Sequence, residues 1–134
     1  METSHLSFFP APVIGETVYS WLSRYHSWSG HNSFRKHSLA IFDVNEQQAA
    51  AEFPGFLKQL SKLSGVDFNW IIQHMTNFKF YKPFLTEGIY QQTINSLHSG
   101  DTGALQSKLG IIANRLTSGK QLWCCPACIE LDVA

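Results

Sequence analysis

Apolar side chains recur at steps of three and four along most of this chain, and glycine closes nearly every such run. Val18, Trp21, Leu22, Tyr25 and Trp28 fall on one helix face, and Gly30 stops that helix. Ser33 to Phe42 reads as a short second helix. Phe53-Pro54-Gly55 opens the next, with Pro54 tolerated in the first turn. Its stripe is Phe56, Leu57, Leu60 and Leu63, and Gly65 ends it. Asp67 is placed to cap Phe68 to His74, with Trp70 and Ile71 inward. Thr86 caps a helix to His98 with Ile89, Thr93, Ile94 and Leu97 inward, closed by Gly100. Asp101 caps the last, striped by Leu105, Leu109, Ile112 and Leu116 and followed by Gly119. Asn77 to Leu85 is rich in aromatics, lacks a helical period and reads as a loop. Residues 45–51 carry no decisive pattern, and only Gln121 to Trp123 suggests a short strand. The expected fold is all-α, with about six helices, a helix-turn-helix-like corner and a C-terminal half zinc knuckle.

Composition narrows the class. The chain has 134 residues, of which 44% are hydrophobic, 13% aromatic and 15% charged. That much apolar surface with so little charge excludes disorder as the main state. Ten basic and ten acidic residues cancel, whereas a free-standing nucleic-acid binder is usually basic overall. Any DNA contact is therefore local, or comes from elsewhere in an assembly. No apolar run reaches the length of a membrane span, and Met1 to Pro10 lacks the features of a signal peptide. The expected location is the cytoplasm.

The sharpest local signal is Trp123-Cys124-Cys125-Pro126-Ala127-Cys128. A C-P-x-C turn presents two thiolates, here Cys125 and Cys128, as half of a tetrahedral zinc site. Zinc needs a second pair, and no further C-x-x-C or C-x-x-H follows before Ala134. The expectation is a zinc ribbon cut after its first half, with residues 1–119 forming the helical domain and 120–134 the half ribbon. A thioredoxin-like reading of W-C-x-x-C requires a βαβ context that this chain does not offer.

Leu57 to Ile72 has the spacing of a helix-turn-helix, with Gly65 in the turn. The second helix would present Asn69 and Gln73 to DNA, but Asp67 and Phe68 at its start are poor groove readers. An αα-corner that only packs fits better. Basic residues cluster as Arg35-Lys36-His37, Lys58 with Lys62, and Lys79 with Lys82. The last pair flanks Phe78, Phe80, Tyr81 and Phe84, a mixture that suits a protein interface or base stacking. The neutral net charge favours the interface. No nucleophile elbow, P-loop or H-E-x-x-H motif is present, and the reading is of a protein without catalysis.

Taken in order, these segments resemble the TniQ/TnsD family of transposition target-selection proteins. Pro10-x-Pro12 with Glu16-Thr17-x-Tyr19-Ser20-Trp21-Leu22-x-Arg24 is similar to its opening signature. Leu60-Ser61-x-Leu63-Ser64-Gly65-Val66, His74-Met75-Thr76 and Tyr81-x-Pro83-Phe84 are similar to its central segment. Trp123 to Cys128 resembles its first zinc knuckle. The resemblance runs from Phe9 to Cys128. It implies a targeting subunit of a Tn7-like element, which recognises target DNA or a guide-RNA (CRISPR) effector bound to it and recruits an AAA+ ATPase. It implies zinc on Cys125 and Cys128, with the later ligand pair lying past Ala134. Under that reading Arg24, Lys79, Tyr81 and Lys82 are the exposed partner contacts. The alternative is a helix-turn-helix regulator that reads DNA through Asn69 and Gln73.

Overall fold

The computed structural model describes residues 8–43, 52–110 and 126–133, and among these every regular element is a helix. The elements are α1 (Val18–Ser29), α2 (Phe34–Phe42), α3 (Leu57–Ser64), α4 (Phe68–Met75), α5 (Phe78–Tyr81), a 3-10 turn (Lys82–Phe84), α6 (Glu87–Ser99), α7 (Leu105–Lys108) and α8 (Pro126–Val133). The all-α expectation holds. The expected strand at Gln121–Trp123 and the domain boundary at 119/120 lie outside the described residues, as do Ile112 and Leu116.

Side-chain caps set the helix starts. Thr17 accepts from Ser20 N, Ser33 from Lys36 N, Asp67 from Trp70 N and Thr86 from Ile89 N. Each satisfies one of the backbone donors that a helix leaves unpaired at its beginning. α1 ends at Gly30, α3 at Gly65 and α6 at Gly100, all left-handed.

One core joins α1 to α7. Val18, Trp21, Leu22, Phe42, Phe53, Phe56, Leu57, Leu60, Ile71, Ile72, Met75, Phe78, Leu97 and Leu105 form a single buried cluster. α1 packs on α2, α3 lies against both α4 and α6, and α5 packs on α4. Two loops cross closely: a Cβ on Gly55 would stand 2.8 Å from the Gly100 carbonyl oxygen, and one on Gly100 would stand equally close to that of Gly55. Only a residue without a side chain fits on either side.

Three expectations are corrected. Residues 78–84, read as a loop, are helical. Phe78 is buried and Tyr81 packs half-buried against the core while Phe80 and Phe84 point out, and two inward side chains among outward aromatics make too brief a period to read. Trp28 lies 60% exposed rather than inward. The last turn of α1 runs past the core, where Phe8 (5.9 Å between ring centroids) and the Arg24 guanidinium (5.2 Å) lie against the indole. Asp101 does not cap a helix: α7 starts at Leu105, and its N-cap position, Ala104, offers no side-chain bond.

Candidate interaction surface

The arm before α1 is built from the opening signature. Trp21 Nε1 donates to the Pro10 carbonyl at 2.8 Å. Arg24 donates to the Ala11 carbonyl at 2.7 Å and to both Glu16 oxygens, at 3.0 and 2.7 Å. Glu16 also accepts from Val13 N at 3.0 Å. Phe9 sits between Trp21 (5.1 Å) and Tyr25 (4.5 Å). Burial raises the Glu16 carboxyl, and the Arg24 guanidinium with the Val13 amide and Ser20 hydroxyl outweighs it, so its pKa lies below the ordinary value. Arg24, expected as an exposed contact, is instead 23% exposed and committed to this network. Its reach to Ala11, thirteen residues back in the chain, left no local signal in the sequence.

The α5 region separates its residues by role. Tyr81 is half-buried, donates to the Glu52 carboxylate and packs at 5.8 Å on Phe53. Burial first, then the Glu52 hydrogen bond and charge, push its hydroxyl up to about 12. It anchors the segment rather than presenting itself. Lys79 and Lys82 are exposed, with Nζ of Lys79 5.2 Å from the Phe80 ring and Nζ of Lys82 5.3 Å from Tyr90. Phe80 is 62% and Phe84 86% exposed. Two cations and two phenyl rings thus share one short helical segment on the surface.

The corner between α3 and α4 is pinned through side chains. Ser61 Oγ donates to the Val66 carbonyl at 2.6 Å, and Ser64 Oγ accepts from Val66 N at 3.3 Å. Asn69 and Gln73 are exposed one turn apart on α4, and Trp70 stacks on His74 at 4.6 Å. His37, grouped in the sequence with Arg35 and Lys36 as basic, is buried. Burial, with the neighbouring His31 and His26, lowers its pKa to about 4. Desolvation wins over charge there, so His37 adds nothing to a basic patch.

For zinc, the backbone of α8 begins at Pro126 and carries Cys128 in its first turn. Cys125 lies outside the described residues. Among the described residues no three His, Cys, Asp or Glu side chains are set as a metal-ligating group. They do not complete a zinc site by themselves. No described helix is long and apolar enough to cross a membrane.

A helical domain whose opening signature locks an arm to its first helix, and whose surface offers an aromatic-basic segment, is a member of the TniQ family, whose model matches residues 7–134. The chain is also similar to the Transposon Tn7 transposition protein TnsD of Escherichia coli, 24% identical over 129 residues. That match covers 93% of this chain and 25% of TnsD, so the chain spans about a quarter of that relative's length. No solved structure matches.

Proposed function

We propose that this chain serves target-site selection in transposition of a Tn7-like element, as an adaptor. It joins recognition of target DNA, or of a guide-RNA effector on that DNA, to an AAA+ ATPase that recruits the transposase. The observation that carries the reading is the family match over nearly the whole chain, together with the similarity to TnsD. The adaptor role rests on the exposed Phe80, Phe84, Lys79 and Lys82 in a chain without net charge. Exposed aromatics anchor protein interfaces, and flanking cations select an acidic partner face. The chemistry is binding, without a catalytic step. Zinc on Cys125 and Cys128, completed by ligands beyond the described residues, would hold residues 120–134 as a half ribbon next to the helical domain of 1–119.

A second reading, DNA recognition by the α3–α4 corner, is favoured by one observation: Asn69 and Gln73 both face solvent on the second helix. Amide side chains at such positions read adenine in the major groove. A pull-down with the cognate ATPase beside a DNA shift assay at ~150 mM salt separates the two, since that salt screens exposed charge beyond roughly 8 Å. The adaptor reading expects ATPase capture and weak, salt-sensitive DNA binding. Tight, sequence-specific DNA binding without ATPase capture would replace it with the second reading.

A further inference from the structure

The first turn of α2 runs against the ordinary electrostatics of a helix. It starts from Ser33 and carries Arg35 and Lys36, with no acidic side chain. The partial positive charge of a helix start favours anions and opposes cations. Ser33 Oγ accepts from Lys36 N at 3.4 Å, while the Phe34 and Arg35 amides occupy positions that have no acceptor within a helix. A cleft of roughly 360 Å³ opens beside this turn, lined there by His31, Asn32, Ser33 and Lys36. Ala40 and Ile41 extend it one turn further along α2, and among the described residues no acid lines it. His37 lines it too, although only 6% exposed. His37 Nδ1 stands 3.1 Å from His26 Nδ1 and 3.4 Å from Ser29 Oγ. Its Nε2 is buried without a partner among the described residues. Such an atom is costly to leave unpaired, and it points to a water or an ion as its partner.

We infer that the start of α2 and the cleft beside it bind the phosphate group of a phosphate ester. Cations at the positive end of a helix, first-turn amides without helical acceptors and an unpaired imidazole nitrogen are each relieved by one anion placed there. A phosphate has oxygens enough to meet two amides and a lysine ammonium together, which a chloride ion cannot do. When His26 Nδ1 donates to His37 Nδ1, the His37 hydrogen sits on Nε2 and gives that atom the sign an anion requires. The cleft is large enough for a small ligand rather than for one phosphate alone, and its extension over Ala40 and Ile41 suits the group to which the phosphate is esterified. The carrier is a free nucleotide or the backbone of a nucleic-acid strand, which share this chemistry. The site lies on neither the α5 segment nor the α3–α4 corner and does not rest on the adaptor reading.

The test titrates the isotope-labelled chain with inorganic phosphate, followed by NMR. Ionic strength is held at ~150 mM, where exposed charge is screened beyond about 8 Å. Phosphate should give saturable shifts of the Phe34 and Arg35 amides and of the His37 ring nitrogens, and chloride at the same ionic strength should give none. AMP and a short DNA duplex then stand for the two carriers, and the one that saturates the same signals at the lower concentration identifies the carrier. Lys36→Glu should weaken binding roughly tenfold or more. Lys36 is exposed, and an acid suits this turn better than a cation, so the melting temperature of that variant should be equal or higher. Lys62→Glu, an exposed site on α3, should leave binding unchanged. Absence of saturation by all of these ligands at about 10 mM would overturn the inference, as would Lys36→Glu binding as the native chain does. Equal loss in the two variants would also overturn it, since that is diffuse attraction to charge and not a site.

Discussion

The guanidinium of Arg24 grips the Glu16 carboxylate with two nitrogens, Nε on Oε1 at 3.0 Å and Nη2 on Oε2 at 2.7 Å. Planar two-point contact of this kind is what lysine cannot supply. The pair closes the arm onto α1, because Nη2 also reaches the Ala11 carbonyl and Glu16 also holds Val13 N.

Arg24→Met should therefore destabilise the chain by roughly 1–3 kcal/mol, the range for charged hydrogen bonds left without a partner. The folded pKa of Glu16 is depressed, so the pair's contribution is complete above the ordinary carboxylate value of about 4.3. It is lost as pH falls through the lower folded value. Urea unfolding of both proteins at pH 7 and at pH 3 measures this. The gap between them should be wide at pH 7 and narrower at pH 3; an equal gap at both would remove the carboxylate from the account.

Trp21 combines full burial with a hydrogen bond from its indole to the Pro10 carbonyl. Trp21→Ala should cost ~3–5 kcal/mol, as large aromatic truncations in a core do. Trp21→Phe keeps most of the apolar contact and leaves Pro10 without its donor, so it should cost less than the alanine variant. Denaturant midpoints rank the three proteins. A loss below about 1 kcal/mol for Trp21→Ala, within ordinary surface scatter, would place Trp21 outside the core.

The residues that were legible in the sequence are those whose partners are close along the chain. Helical period and capping are local, so Val18, Trp21, Leu22 and Tyr25 and the caps Asp67 and Thr86 could be read directly. The candidate surface was legible in part: Lys79 and Lys82 are exposed as expected. What was hidden depends on distant segments. Tyr81 is held by Glu52 and Arg24 by Ala11, and neither partner is marked by any pattern. The Gly55–Gly100 crossing joins two loops far apart in sequence. His37 carries the same letters as a basic patch, and only tertiary burial distinguishes it.

His37 gives the fold a pH dependence of definite sign. Burial, then His31 and His26, hold its folded pKa at about 4, below the ordinary value of 6.5. The unfolded chain takes up this proton first, so stability is complete above pH ~6.5 and falls as pH drops toward ~4. Melting temperatures across that window should decline for the native chain, and His37→Gln should flatten the decline. A native chain equally stable at both ends of the window would contradict the burial of a neutral imidazole.

Phe84 is 86% exposed and Phe80 62%, so neither supports the core. Truncating either to alanine should change stability by no more than about 0.5 kcal/mol, as for surface sites elsewhere. In the adaptor reading the same truncations remove interface anchors, whose loss commonly costs 2 kcal/mol or more, roughly thirtyfold in affinity. Lys79→Glu with Lys82→Glu should act mainly on the association rate and its salt dependence, since rim charges steer encounter. Surface-immobilised ATPase titrated with each variant at two salt concentrations gives both rates. Phe84→Ala that folds normally and binds the ATPase as the native chain does would take the α5 segment out of the interface. A double lysine variant that loses DNA binding and keeps the ATPase would assign the segment to nucleic acid, because exposed rings between cations are also a stacking platform for bases.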